Sequence, residues 1–191
     1  MNLEYYKETG RLEAFYDAII AIIVTILVLE LPQPETATIT AIWSLRVHYF
    51  AYFISFLVCV NMWQYHHKIF HHVEKINNRI IWLNILLMLI LSLIPYITLF
   101  VSENFNSFLA QAIYGVDFII VDVILSVSSY LLLKFNPDSE YLKEALNIKN
   151  SLVIPLVLFI ISLIIGILGY PQVISIICLF TIVMSIINDI R

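Results

Sequence analysis

Leu12-Glu13-Ala14-Phe15-Tyr16-Asp17-Ala18-Ile19-Ile20-Ala21-Ile22-Ile23-Val24-Thr25-Ile26-Leu27-Val28-Leu29-Glu30-Leu31 is a run of twenty residues with three acids and no cation. At about 1.5 Å of rise per residue such a helix is as long as the ~30 Å hydrocarbon layer of a bilayer. It begins after charged residues of both signs and contains no small-residue cleavage site, so it reads as a permanent span and not as a signal peptide. Pro32-Gln33-Pro34 closes it.

Five further apolar stretches of crossing length follow, at 47–65, 80–101, 108–133, 151–168 and 173–187. The breaks between them are polar or carry proline and glycine. The last, Gly169-Tyr170-Pro171, is short enough to require a tight antiparallel hairpin. The expectation is an all-α integral membrane protein, with residues 1–191 forming a single six-helix transmembrane domain. Composition agrees: 61% of residues are hydrophobic, 13% are charged, and the mean hydropathy is +0.94. That is more apolar surface than one soluble core of this length hides, so lipid is the expected solvent. A net charge of -4 gives no basic face, which argues against a nucleic-acid partner.

Lys and Arg are retained on the cytoplasmic side during insertion. Lys7, Arg11, Lys68, Lys75, Arg79, Lys134, Lys143, Lys149 and Arg191 all fall at the termini or in the second and fourth connections, and only Arg46 falls opposite. Both termini are therefore expected to be cytoplasmic. The chain reads as a multi-pass protein of the cell membrane.

At 100° per residue, Arg11, Phe15, Ala18, Ile22, Ile26 and Leu29 lie within roughly 40° of one line, with Thr25 just beside it. Asp17 lies about 140° from that line. An ionisable group at that depth needs a partner inside the protein, and it is expected to point into its own subunit's bundle. Taken alone, the stripe is equally the mark of lipid contact or ordinary helix packing.

Arg11-Leu12-Glu13-Ala14-Phe15-Tyr16-Asp17, followed by Ala21-Ile22 and Thr25-Ile26-Leu27-Val28-Leu29-Glu30, resembles the signature Arg-x-x-x-Phe-Ser-Asp of the transmembrane protein 175 family, potassium channels of lysosomes and many prokaryotes. Ser55-Phe56-Leu57, Trp63, His66-His67, Arg79, Trp82-Leu83-Asn84 and Pro95 are similar to the pattern of the same family, so the likeness covers the first three spans. Tyr16 stands where the family usually has Ser, and a phenol reaches further than a serine hydroxyl.

The resemblance to prokaryotic members of the family implies a potassium-selective cation channel, a homotetramer in the plasma membrane whose pore is lined by four first helices. It implies stacked apolar rings of Ile22, Ile26 and Leu29 as constriction and gate, with Ile22 the narrowest. Potassium is then the permeant ion, with no cofactor and no bound metal. Selectivity in such a neck comes from the cost of dehydration, and Thr25 hydroxyls would replace part of the lost shell. The alternative for Thr25 is a bond back to the Ala21 carbonyl. Glu30 falls at the outer mouth, where four copies would concentrate cations. Arg11, Phe15 and Asp17 with Trp63, His67 and Asn84 are expected to form a supporting network that fixes the angle of the first helix.

Other constellations compete with this. His66, His67, His71 and His72 include the i, i+4 pair His67/His71 that zinc sites use, but no cysteine lies near, and an interfacial polar cap is the favoured reading. The cluster lacks an accompanying nucleophile or acid–base pair, so an enzyme is not expected. Asp117 and Asp122 lie inside the fourth span and suggest a proton-coupled secondary transporter as the alternative function. Their spacing places them about 140° apart, so each needs its own partner, Ser126, Gln111 and Tyr114 being the nearest candidates. Cys59 and Cys178 read as small buried hydrophobes, and Gly166 with Gly169 as loop punctuation.

Overall fold

Helix α1, Gly10–Leu29, opens the fold and ends where Pro32 forbids its continuation. A short helix α2, Ile39–Ser44, follows, capped by Thr38, whose side chain accepts from the Ala41 N–H at 3.3 Å. Next come α3, Arg46–His71, then α4, Asn78–Leu91, α5, Ile94–Glu103, and α6, Phe108–Phe135. The chain closes with α7, Glu140–Ala145, α8, Ile154–Ile167, and α9, Val173–Ile190. This computed structural model describes residues 9–71, 73, 76–145 and 152–190. Lys7, His72, Lys75, Lys149 and Arg191, used above for topology or the histidine cluster, lie outside the described residues.

The protein is all-α. The six apolar stretches fall on α1, α3, the α4–α5 pair, α6, α8 and α9; α2 and α7 are additional short helices. Gly10–Leu29, Asn78–Glu103 and Phe108–Phe135 are each long and apolar enough to cross a membrane unaided. The third stretch is bent between α4 and α5. Pro95 has no N–H for the Leu91 carbonyl and its ring crowds that carbonyl, so the backbone tightens there, with Leu93 N–H bonded to the Ile90 carbonyl at 3.0 Å.

Helix α3 packs against α1, α5 and α9, while α6 packs against α4, α5, α8 and α9. A buried polar knot ties three of them. Ser55 of α3 bonds Thr98 of α5 at 2.7 Å and the Tyr114 hydroxyl of α6 at 2.9 Å. Such bonds hold helices together in lipid, where apolar burial between helices has no driving force. Glycine does the same by close approach. A Cβ on Gly115 would lie 2.3 Å from the Phe159 ring and 2.8 Å from Ile174, so only hydrogen lets α6 meet α8 and α9 at this distance.

The α8–α9 hairpin is as tight as its sequence requires. Gly169 takes φ +106, and bonds from Gly169 N–H to the Gly166 carbonyl and from Tyr170 N–H to the Ile165 carbonyl close a Schellman turn. Gly166 differs from its reading as loop punctuation. It is buried inside α8 against Phe108, a packing position.

Candidate pore helix and its anchors

Helix α1 has two unlike faces. Tyr16, Ile20, Ile23 and Leu27 are buried against the bundle, at the i, i+4, i+7, i+11 spacing of one helical stripe. Phe15, Ile22, Ile26 and Leu29 are exposed on the other side, the contrast being sharpest between Ile22 at 57% and Ile23 at 2%. Leu29 reaches 80%. From Ile22 to Leu29 the bare apolar stripe climbs roughly 10 Å along the axis. Beside it runs a second exposed stripe of small residues, Ala14, Ala18, Ala21 and Thr25.

The Thr25 hydroxyl donates to the Ile22 carbonyl at 2.7 Å, one residue later than the Ala21 carbonyl considered from sequence. Its hydrogen is committed to the helix, so the oxygen of this exposed side chain can act only as an acceptor toward anything else. Glu30 caps the helix through its N–H to the Ile26 carbonyl at 3.0 Å. It is exposed, and it stands at the rim of a small cavity lined also by His48, Tyr52 and Ser102.

At the other end, polar and aromatic groups hold α1 to α3. Trp63 donates from Nε1 to Asp17 Oδ1 at 2.9 Å, and its ring stacks on His67 with centroids 5.6 Å apart. Asp17 thus has a partner within the chain, but at an exposed edge and not inside the bundle. Asn84 belongs to a separate and deeper cluster. Its Oδ1 lies 3.2 Å from Nε2 of His66, and its Nδ2 donates to the Ile80 carbonyl at 2.8 Å. With the amide oxygen as acceptor, the His66 proton must sit on Nε2. The His66 ring is stacked between Tyr16 at 3.9 Å and Phe70 at 4.2 Å.

The network expected of Arg11, Asp17, Trp63, His67 and Asn84 is therefore divided. Asp17, Trp63 and His67 form an outer group, His66 and Asn84 an inner one, and Arg11 is exposed at the start of α1 outside both. Tyr16 and His66 were not singled out from sequence as anchors. The signal was available, because Tyr16 lies on the stripe of Ile20, Ile23 and Leu27, and His66 lies on that of Cys59, Met62 and Ile69. The phenol contributes a stack on His66, and its hydroxyl is buried with no hydrogen-bond partner among the described residues.

The two acids of α6 lie elsewhere. Asp117 is buried, and its Oδ2 has no hydrogen-bond partner. Asp122 lines a small cavity between α6, α8 and α9, with Pro155, Phe159, Cys178 and Thr181. Two of the three candidate partners are occupied by other bonds: Gln111 accepts from Ser175 at 2.5 Å, and Tyr114 is held by Ser55 and the Ala51 carbonyl.

Residues 11–95 match the family described as the endosomal/lysosomal potassium channel TMEM175. A potassium channel of Chryseobacterium sp. (strain P1-3) is 31% identical over 154 residues, which cover 81% of this chain and 80% of that one. A potassium channel of Streptomyces collinus is 32% identical over 117 residues, 57% of each chain. Among solved structures, a lysosomal potassium-selective channel TMEM175 homolog from Chamaesiphon minutus superposes with a TM-score of 0.82 at 22% identity, over 96% of this chain and 99% of that one.

Proposed function

The chain belongs to the TMEM175 family of potassium channels, and from that premise we propose that it is a potassium-selective channel of the bacterial plasma membrane, formed by four copies around one pore. Each copy would be a single domain that crosses the membrane six times and keeps both termini in the cytoplasm. Passage of an ion makes and breaks no covalent bond, so the protein is not an enzyme, and potassium is the permeant species.

The observation that carries this reading is the division of α1 into an anchored face and a bare one. A helix crossing on its own would be as content with lipid on its apolar side, so bareness alone does not decide for a pore. The adjoining stripe of Ala14, Ala18, Ala21 and Thr25 tips the balance, because small residues let helix backbones approach closely where lipid supplies no hydrophobic drive. Four α1 helices meeting along that stripe would turn Ile22, Ile26 and Leu29 toward a common axis. Their rings would close the pore by dewetting, since an ion in an apolar neck gives up hydration without replacement. Potassium sheds water more readily than sodium. Thr25 oxygens, as acceptors, would return part of the shell, and Glu30 would gather cations at the outer mouth. Phe15, together with the Asp17–Trp63–His67 and His66–Asn84 groups, would set the angle of the helix.

A second reading, proton-coupled transport through Asp117 and Asp122, is favoured by one observation, the buried and unpartnered Oδ2 of Asp117. Potassium flux from reconstituted liposomes separates the two. The channel predicts flux without a proton gradient, and a changed size or potassium-to-sodium ratio in Ile22→Asn, with Asp122→Asn near native. Flux that demands a proton gradient, vanishes in Asp122→Asn and ignores Ile22→Asn would replace the channel by the transporter.

A further inference from the structure

Helix α2 buries none of its six residues, yet half of them are large and apolar. Ile39 is 86% exposed, Trp43 69%, and Ile42 is exposed as well. At 100° per residue these three share one side of the helix, with Thr40 and Ser44 on the other, so α2 is amphipathic with its apolar side uncovered by its own chain. Arg46 joins that side. Its Nη1 donates to the Trp43 carbonyl at 3.4 Å, which brings the guanidinium back to the end of α2. The bond uses one of five N–H donors, and the residue is exposed.

We infer that α2 and Arg46 form a binding surface for the anionic phosphodiester headgroups of the outer leaflet. The inference rests on the six-span reading only in placing α2, between the outer ends of α1 and α3, at the depth of the headgroups. Tryptophan concentrates at that depth because its ring is apolar and its N–H is polar. Tyr170, exposed in the α8–α9 turn on the same side, is a second residue of this kind. Ile39, Ile42 and Trp43 enter the acyl boundary, and Arg46 pairs with a phosphate above them through its planar fork. Charge complementarity points to lipid. Among the described residues Arg46 is the one Lys or Arg of this side, and the leaflet's phosphodiesters lie at its depth; a second copy, which carries the exposed Glu30, Glu35 and Glu103 on the same side, is the competing occupant that the test separates.

The test uses the full chain in liposomes of phosphatidylcholine doped with phosphatidylglycerol, one of the two lipids being brominated high on its acyl chains. The Trp43 signal is the difference in fluorescence quenching between the native chain and Trp43→Phe. The expected result is quenching of Trp43 by both brominated lipids, with phosphatidylglycerol enriched about fivefold over phosphatidylcholine at this site, and loss of that enrichment in Arg46→Gln. Absence of Trp43 quenching by either lipid, as a second copy covering the face would produce, overturns the inference. Equal quenching by the two lipids in the native chain removes the preference for anionic headgroups and overturns it too. Neither result bears on whether the pore conducts potassium.

Discussion

Helices α1 and α6 are both long and apolar enough to cross a membrane, and both carry acids, yet they are built for opposite purposes. Helix α6 is a hub. It packs against α4, α5, α7, α8 and α9, approaches two of them at Gly115, and keeps Asp117 in the interior. Helix α1 is fixed along one stripe and bare along the other, and its acid Asp17 sits at an exposed edge within reach of the Trp63 indole. Helix α6 too leaves a stripe bare, from Leu109 through Val116 and Val123 to Tyr130, but α4, α5, α8 and α9 pack around the rest of it, whereas α1 packs chiefly against α3, α4 and α5. The proposed gate lies on a helix anchored along one stripe, where a change in a few anchors can alter the tilt.

The comparison breaks most readily within α1. Ile23→Ala, at 2% exposure, should cost about 3 kcal/mol, the transfer and cavity cost of a buried side chain, whereas Ile22→Ala should stay within about 0.5 kcal/mol. Unfolding in detergent measures both, and equal losses would mean that Ile22 is also packed in the assembled protein. On the hub, Gly115→Ala should cost about 2 kcal/mol by overpacking, since its methyl meets the Phe159 ring at 2.3 Å. A neutral result in the same assay would show that the ring swings aside and that α6 is less confined than its contacts imply.

The anchors sharpen the contrast at smaller amplitude. Trp63→Phe keeps a ring over His67 and removes the donor to Asp17, so about 1 kcal/mol of coupling is expected in a double-mutant cycle with Asp17→Ala. Zero coupling would leave the Tyr16–His66 stack as the principal tie at that end of α1. Asp117→Asn exchanges a buried carboxylate, whose Oδ2 has no hydrogen-bond partner among the described residues, for an equally unpaired amide, so stability should change by less than about 1 kcal/mol. A drop in potassium flux from that variant at unchanged stability would count for the transporter reading.

Legibility followed the range of the forces. The helices were readable because hydrophobic length and proline or glycine punctuation are local properties; Pro95 and Gly169 mark in sequence the bend and the turn that the structure contains. Helix α2 was not read as an element, since six residues of mixed polarity give too little periodic signal. In the candidate site, the stripe of Ile22, Ile26 and Leu29 followed from helical geometry. The choice between His66 and His67 did not, because adjacent residues of α3 differ only in which neighbour they meet.

The sequence by itself determined that this is an all-helical membrane protein, where its apolar segments lie, and, through the motif at Arg11 to Asp17, which family it resembles. Those conclusions depend on composition and on spacing along one helix. Tertiary structure alone decided that Tyr16 stacks on His66, that Asn84 joins His66 and not His67, that Gly166 is a packing residue, and that α1 presents a bare side next to a stripe of small residues. Each of these depends on the rotation of one helix against another. That angle is set by the packing of all the helices together, and no single segment of the chain contains it.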